Sequence, residues 1–177
     1  MADTSGTTRI LGTLREEDGL GVVHVEDVYD TDIRDLWSAI TEPARLARWL
    51  ATVDGDLRVG GEFTAAFTSG WNGVGRVDLC EEPHSLQVTT WSDTDAPGVI
   101  TAHLREEDGR TRLVIEENGL PLDVYFYHGS GWQTHIEDLA AYLAGRETSD
   151  WGSRARELSP FYREMADAGP SESPSRG

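Results

Sequence analysis

The sequence predicts an α+β protein in which an antiparallel β-sheet curls around one long helix near the C-terminus. Three observations carry this. Between Asp54 and Asn118 apolar and polar residues alternate with a period of two, in short runs bounded by glycine, proline or charged turns. From Asp123 to Gly145 the period lengthens to that of a helix, with Trp132, Ile136, Leu139, Ala140 and Leu143 on one stripe. The loops between successive runs are short, which suits an antiparallel meander, and each run is apolar on one face only. Such a sheet needs one cover, and the long helix is the natural one.

Residues 1–8 are small and polar and read as a flexible N-terminus. Arg9–Arg15 and Gly21–Tyr29 look like strands joined by the turn-rich EEDGLG, a hairpin. Asp30, Thr31 and Asp32 supply capping oxygens for a helix whose Ile33, Leu36, Trp37 and Ile40 share a face. Thr41-Glu42-Pro43 starts a second short helix with Leu46, Trp49 and Leu50 inward. The strand-like runs are Leu57–Val59, Glu62–Thr68, Gly75–Leu79, Leu86–Trp91, Val99–Arg105 and Thr111–Glu117. Phe63, Ala65 and Phe67 share an inner face, as do Leu86 with Val88, Ile100 with Ala102 and Leu104, and Leu113 with Ile115. Glu62, Thr64, Gln87, His103, Arg112 and Glu116 face the other way. In the long helix, Gly129 and Gly131 each cost about 1 kcal/mol relative to alanine, so a close packing contact or a bend is expected there. Gly145 is placed to stop the helix. The reading is one domain over 9–145, an extension over 146–168 that could form an amphipathic helix interrupted or restarted at Pro160, and a disordered tail over 169–177.

Composition narrows the function. Thirty-two acidic against 15 basic residues give a net charge of −17, which opposes nucleic-acid and anionic-membrane surfaces because both require a positive patch. The single cysteine, Cys80, excludes an intrachain disulfide and a cysteine-based zinc site; beside Glu81 and Glu82 its thiol is a poor nucleophile. The opening residues lack a signal-peptide pattern, and no apolar run approaches the roughly 18 residues of a membrane span. A cytoplasmic protein is expected.

His128 and His135 are one heptad apart on the long helix, with Tyr125 and Gly131 on or beside the same face. Asp138, three residues after His135, could orient that histidine as a general base is oriented. A metal would need a third ligand from the sheet, where no inward His, Asp or Glu is evident, and no cofactor is implied. The acidic pairs 16–17, 81–82, 106–107 and 116–117 read as solvated turn charges. Trp71, in SGWNGVG, is either a pocket lid or an exposed hairpin residue; the glycines around it suit a tight hairpin better than a phosphate loop. No G-x-S-x-G is present. Arg45 and Arg48 could receive an anion, although a solvent-facing helix side explains them more simply.

The order of these pieces resembles a known superfamily. Asp30–Trp37, T-E-P-A-R-L-A-R-W at 41–49, G-G-E-F at 60–63, G-R-V at 75–77, Pro83, L-Q-V-T-T-W at 86–91, T-R-L-V-I at 111–115 and G-W at 131–132 are together similar to the SRPBCC superfamily. Within it, the likeness is to bacterial activator of heat-shock-protein-90 ATPase homologues, over roughly residues 20–145. The resemblance implies a helix-grip (START-like, Bet v 1-like) fold with two short helices after the N-terminal strands, and a cavity for apolar or amphipathic small molecules. It fixes no substrate.

The resulting expectation is a small-molecule-binding domain without catalysis of its own. Its cavity would lie between sheet and helix, lined by Phe63, Phe67, Trp71, Val77, Val88, Ile100, Leu113, Trp132 and Ile136, with Tyr125, His128 and His135 as polar handles. Two alternatives remain open. One is an enzyme resembling the superfamily's cyclases and dehydratases, with His128 or His135 as acid or base. The other is a protein-interaction module or homodimer, which an apolar surface patch over 153–165 would favour.

Overall fold

The computed structural model describes residues 8–169; the expectations for 1–7 and 170–177 lie outside the described residues. The chain starts with the hairpin β1 (Gly12–Glu17) and β2 (Leu20–Tyr29). Asp18 and Gly19 both take positive φ, 52° and 78°, the geometry of a two-residue turn that follows the right-handed strand twist. Helix α1 (Ile33–Thr41) begins where the Asp32 side chain accepts from the Asp35 N–H at 2.9 Å, and α2 (Pro43–Leu46) begins at a proline whose missing N–H costs nothing there. A six-strand meander follows: β3 (Ala51–Gly55), β4 (Glu62–Phe67), β5 (Asn72–Glu81), β6 (Ser85–Trp91), β7 (Gly98–Glu107) and β8 (Arg110–Leu120). Asp108 and Gly109 repeat the Asp-Gly turn between β7 and β8. The sheet order is β1-β2-β8-β7-β6-β5-β4-β3, antiparallel throughout, with α3 (Tyr125–Leu143) and α4 (Trp151–Asp167) after it. This is the α+β helix-grip architecture.

Leu57–Val59 is not a strand. Asp56 accepts from the Arg58 N–H at 3.0 Å and pairs with its guanidinium, turning the chain locally before Gly60 at φ 85°. The strand lies earlier, at Ala51–Gly55. Pro160 does not interrupt α4, which runs through it to Asp167.

The core packs α1, α2 and α3 against the concave face of the sheet through Val25, Leu36, Trp49, Leu113, Ile136 and Leu139. Helix α3 is buried far beyond one stripe: every residue from Gly129 to Ile136 is inside. The reason is α4, which lies on its outer side. Here the close packing expected of the two glycines is found. A Cβ at Gly129 would stand 2.5 Å from the Tyr162 ring, and one at Gly131 would stand 3.1 Å from the Trp151 ring. Polar residues complete the seam. Tyr162 donates to Gln133 Oε1 at 2.6 Å, Gln133 also holds the backbone of Arg9 and Leu11, and Arg154 forks onto Glu137 at 2.7 and 2.9 Å. The end of α3 is closed by Gly145 at φ 70°, with its N–H on the Tyr142 carbonyl and the Arg146 N–H on that of Ala141.

Candidate functional site

Strand alternation and the position of α3 together leave a cavity of about 380 Å³ at the end of the sheet near the start of α3. Its walls come from five places. Phe67 and Trp71 flank the β4–β5 turn, Trp91 and Asp95 stand at the β6 end, Ile100 and Glu117 come from β7 and β8, and His128, Trp132 and His135 descend from α3. Trp151, the first residue of α4, closes the far side. A second space of about 160 Å³ lies beside it, next to α2, with an almost wholly apolar wall that includes Phe63, Val77, Val88 and Leu86. Phe67, Thr90, Ile100 and Trp132 border both, so the two chambers are neighbours.

Nine of the twelve residues singled out from the sequence therefore border one chamber or the other. Leu113, Ile136 and Tyr125 do not. The first two are 1% exposed in the packed core, and Tyr125 lies over Gly21, where a Cβ would collide with its ring. Trp71 is held over the outer chamber, its indole N–H donating to Asp95 at 2.9 Å.

The polar centre of the cavity is Glu117, which the sequence reading treated as a solvated turn charge. It is inward because it continues the register of Leu113 and Ile115, two residues per step, whereas Glu116 points out to Arg15 and His24. Glu117 accepts from the Trp132 indole N–H on one oxygen, and its other oxygen is 3.3 Å from His128 Nδ1. So an acid does face inward from the sheet, yet no group of three or more His, Cys, Asp or Glu that could hold a metal exists among the described residues.

The two histidines are opposite in character. Burial works against a charge on His128, but the Glu117 carboxylate and, more distantly, Asp95 outweigh it and raise its pKa above the ordinary value. His135 is 4% exposed, and burial lowers it to about 4, so at neutral pH its ring is uncharged. Its Nδ1 is 3.5 Å from the Thr68 hydroxyl, and its ring packs edge-on against Phe67 and Trp132. Asp138 does not orient it. That carboxylate accepts instead from the Ser149 N–H and hydroxyl, at 2.8 and 2.9 Å, and anchors the α3–α4 link. Arg45 is likewise engaged, by Tyr142, Asp35 and Ser38. Burial and Glu82 raise the Cys80 thiol.

A curved sheet gripping a helix over a partly polar chamber defines the helix-grip class. Residues 30–144 match the family described as Activator of Hsp90 ATPase homolog 1-like protein, and the chain belongs to that family. No curated protein matches the sequence. Among solved structures, CalU16 from Micromonospora echinospora superposes with a TM-score of 0.75 at 23% identity, covering 90% of this chain and 98% of CalU16. DynU16, from the dynemicin biosynthetic locus, gives 0.68 at 22% identity over 76% of this chain and 51% of its own. PFC0360w, an HSP90 activator from Plasmodium falciparum, gives 0.59 at 19% over 70% of this chain and 96% of its own. At these identities the likeness establishes the fold. No helix among the described residues is long and apolar enough to cross a membrane.

Proposed function

We propose that this protein binds a small amphipathic molecule bearing aromatic or fused rings, in the chamber between β4–β8 and α3. One observation carries the reading: a cavity of about 380 Å³ whose wall includes four indoles and the rings of Phe67 and Tyr127, with a histidine–carboxylate pair, His128 and Glu117, on its polar side. Flat ring faces offer stacking area for a ring-bearing ligand, and a few fixed polar groups set its orientation. The neighbouring apolar space gives an alkyl or ring substituent somewhere to go once Phe67 or Trp132 turns.

The test is a fluorescence titration with the neutral probe N-phenyl-1-naphthylamine. Saturable uptake of one probe per chain with a blue-shifted emission is expected. Ile100→Trp, which fills the shared wall, should weaken it at least 10-fold. Absence of saturable uptake by the parent protein refutes the reading.

The contact between His128 and Glu117 favours a second reading, in which His128 serves as acid or base on the bound molecule. That reading requires His128→Gln to abolish turnover while leaving uptake nearly unchanged. A protein-docking role through α4 has less support, because Ala155, Leu158 and Tyr162 turn inward onto α3 and leave Phe161 as the large apolar side chain outside.

A further inference from the structure

The fixed charges around the outer chamber have one sign. Its titratable side chains are Asp95, Glu117, Tyr127, His128 and His135. Among the described residues no arginine borders it, and the chain has no lysine. His135 is uncharged at neutral pH, and His128, when protonated, offsets one of the two carboxylates. The wall therefore stays negative. This holds however the carboxylate oxygens are aimed, because a charge beside a low-dielectric space acts over several ångströms. His128 reports the same field. Burial opposes its positive charge, yet Glu117 and Asp95 raise its pKa above the ordinary value, so the chamber sustains a cation against the cost of desolvation. Around these groups stand Trp71, Trp91, Trp132 and Trp151, four of the chain's six tryptophans. Indole is the side chain that attracts organic cations most strongly.

We propose that the ring-bearing molecule taken by this chamber is a cation, carrying a tertiary or quaternary ammonium group that the Asp95 and Glu117 carboxylates and the surrounding indoles select. The inference rests on the binding reading above and names the charge of its ligand. Alkylation of the nitrogen follows from the acceptors. Glu117 already receives from Trp132 and faces His128, and Asp95 receives from Trp71 and Ser92. A primary ammonium would bring three donors to oxygens mostly in use. An N-alkylated cation asks only for negative potential and apolar contact, and the wall supplies both.

Two naphthalenes test this directly: the cation N,N,N-trimethylnaphthalen-2-aminium and the neutral 2-acetylnaphthalene, which share a ring frame and are similar in size. Each competes with N-phenyl-1-naphthylamine in about 0.15 M salt, which limits the reach of the chain's overall charge of −17 to about 8 Å. The parent should bind the cation about 5-fold or more tighter than the ketone. Asp95→Asn and Glu117→Gln each keep the side-chain shape and remove one charge, and each should lower the cation-to-ketone affinity ratio about 2-fold or more. Asp95 lies in an exposed loop, so its variant decides alone if Glu117→Gln folds poorly. Three results overturn the inference: a ketone bound as tightly as the cation, a ratio that neither substitution lowers, or a cation that binds without displacing the probe. Each leaves N-phenyl-1-naphthylamine uptake, and so the binding reading, intact. If that probe never enters, both fall together.

Discussion

Replacing Trp132 with alanine should cost this protein about 4–6 kcal/mol of stability, in two separable parts. The side chain is 5% exposed and buttresses α3 against the sheet. Emptying such a site costs about 3–5 kcal/mol, and the lower end applies because Trp132 borders both chambers and has fewer atoms around it than a fully enclosed ring. Its N–H is also one of the two partners of Glu117, so the variant leaves a buried carboxylate short of a donor, at about 1–3 kcal/mol. For a chain of this size 1 kcal/mol moves the midpoint by about 2–4 °C, so a fall of roughly 10 °C or more is expected. Trp132→Phe retains most of the packing and should lose only the second part. The assay is thermal and urea unfolding followed by circular dichroism, with the urea slope checked to be constant across the three proteins. A Trp132→Ala melt within about 2 °C of the parent refutes both the packing of α3 and the Glu117 bond.

Three further outcomes follow from named contacts. His135 has a folded-state pKa of about 4, below its unfolded value near 6.5, so its contribution is complete above pH 6.5 and disappears as pH falls towards 4; it amounts to about 3 kcal/mol. Unfolding midpoints between pH 7.5 and 4 should therefore decline less steeply in His135→Asn than in the parent, and equal slopes refute the neutral, buried assignment. In Glu117→Gln the main group raising His128 is gone while its burial remains, so the His128 pKa read by NMR titration should fall; an unchanged value means the two do not interact. Gly129→Ala should lower stability by about 1–2 kcal/mol although alanine is the better helix former, since its Cβ would press on a Tyr162 ring fixed through its hydroxyl to Gln133. A stabilised Gly129→Ala protein contradicts the described seating of α4.

Most of the fold was legible because local rules and tertiary structure agree over most of the chain. The two Asp-Gly turns, the Asp32 cap, the Gly145 stop and the alternation of β4 to β8 each name their own geometry. Leu57–Val59 misled because three apolar-flanked residues look like a strand until the Asp56 side chain bonds the backbone ahead of it. Glu117 was hidden by its neighbour. Two adjacent glutamates resemble one solvated pair, yet in a strand they must point to opposite faces, and one of them enters the cavity. The signal was present: Leu113, Ile115 and Glu117 are spaced by two. The role of α4 was harder to read, since α3 buries Gln133, Thr134 and Asp138, polar residues that no apolar stripe marks. Trp151 carries no periodic signal at all, because it starts its helix and packs sideways on a glycine 20 positions earlier.

A crystal structure of the protein grown with N-phenyl-1-naphthylamine is the most direct measurement. The probe's rings should lie in the outer chamber, between Trp71, Trp132 and Trp151, with Glu117 and His128 at its edge. A probe found on the outer face of the sheet, or a chamber in which Phe67 and Trp132 have collapsed to leave no room, would contradict the binding function proposed here.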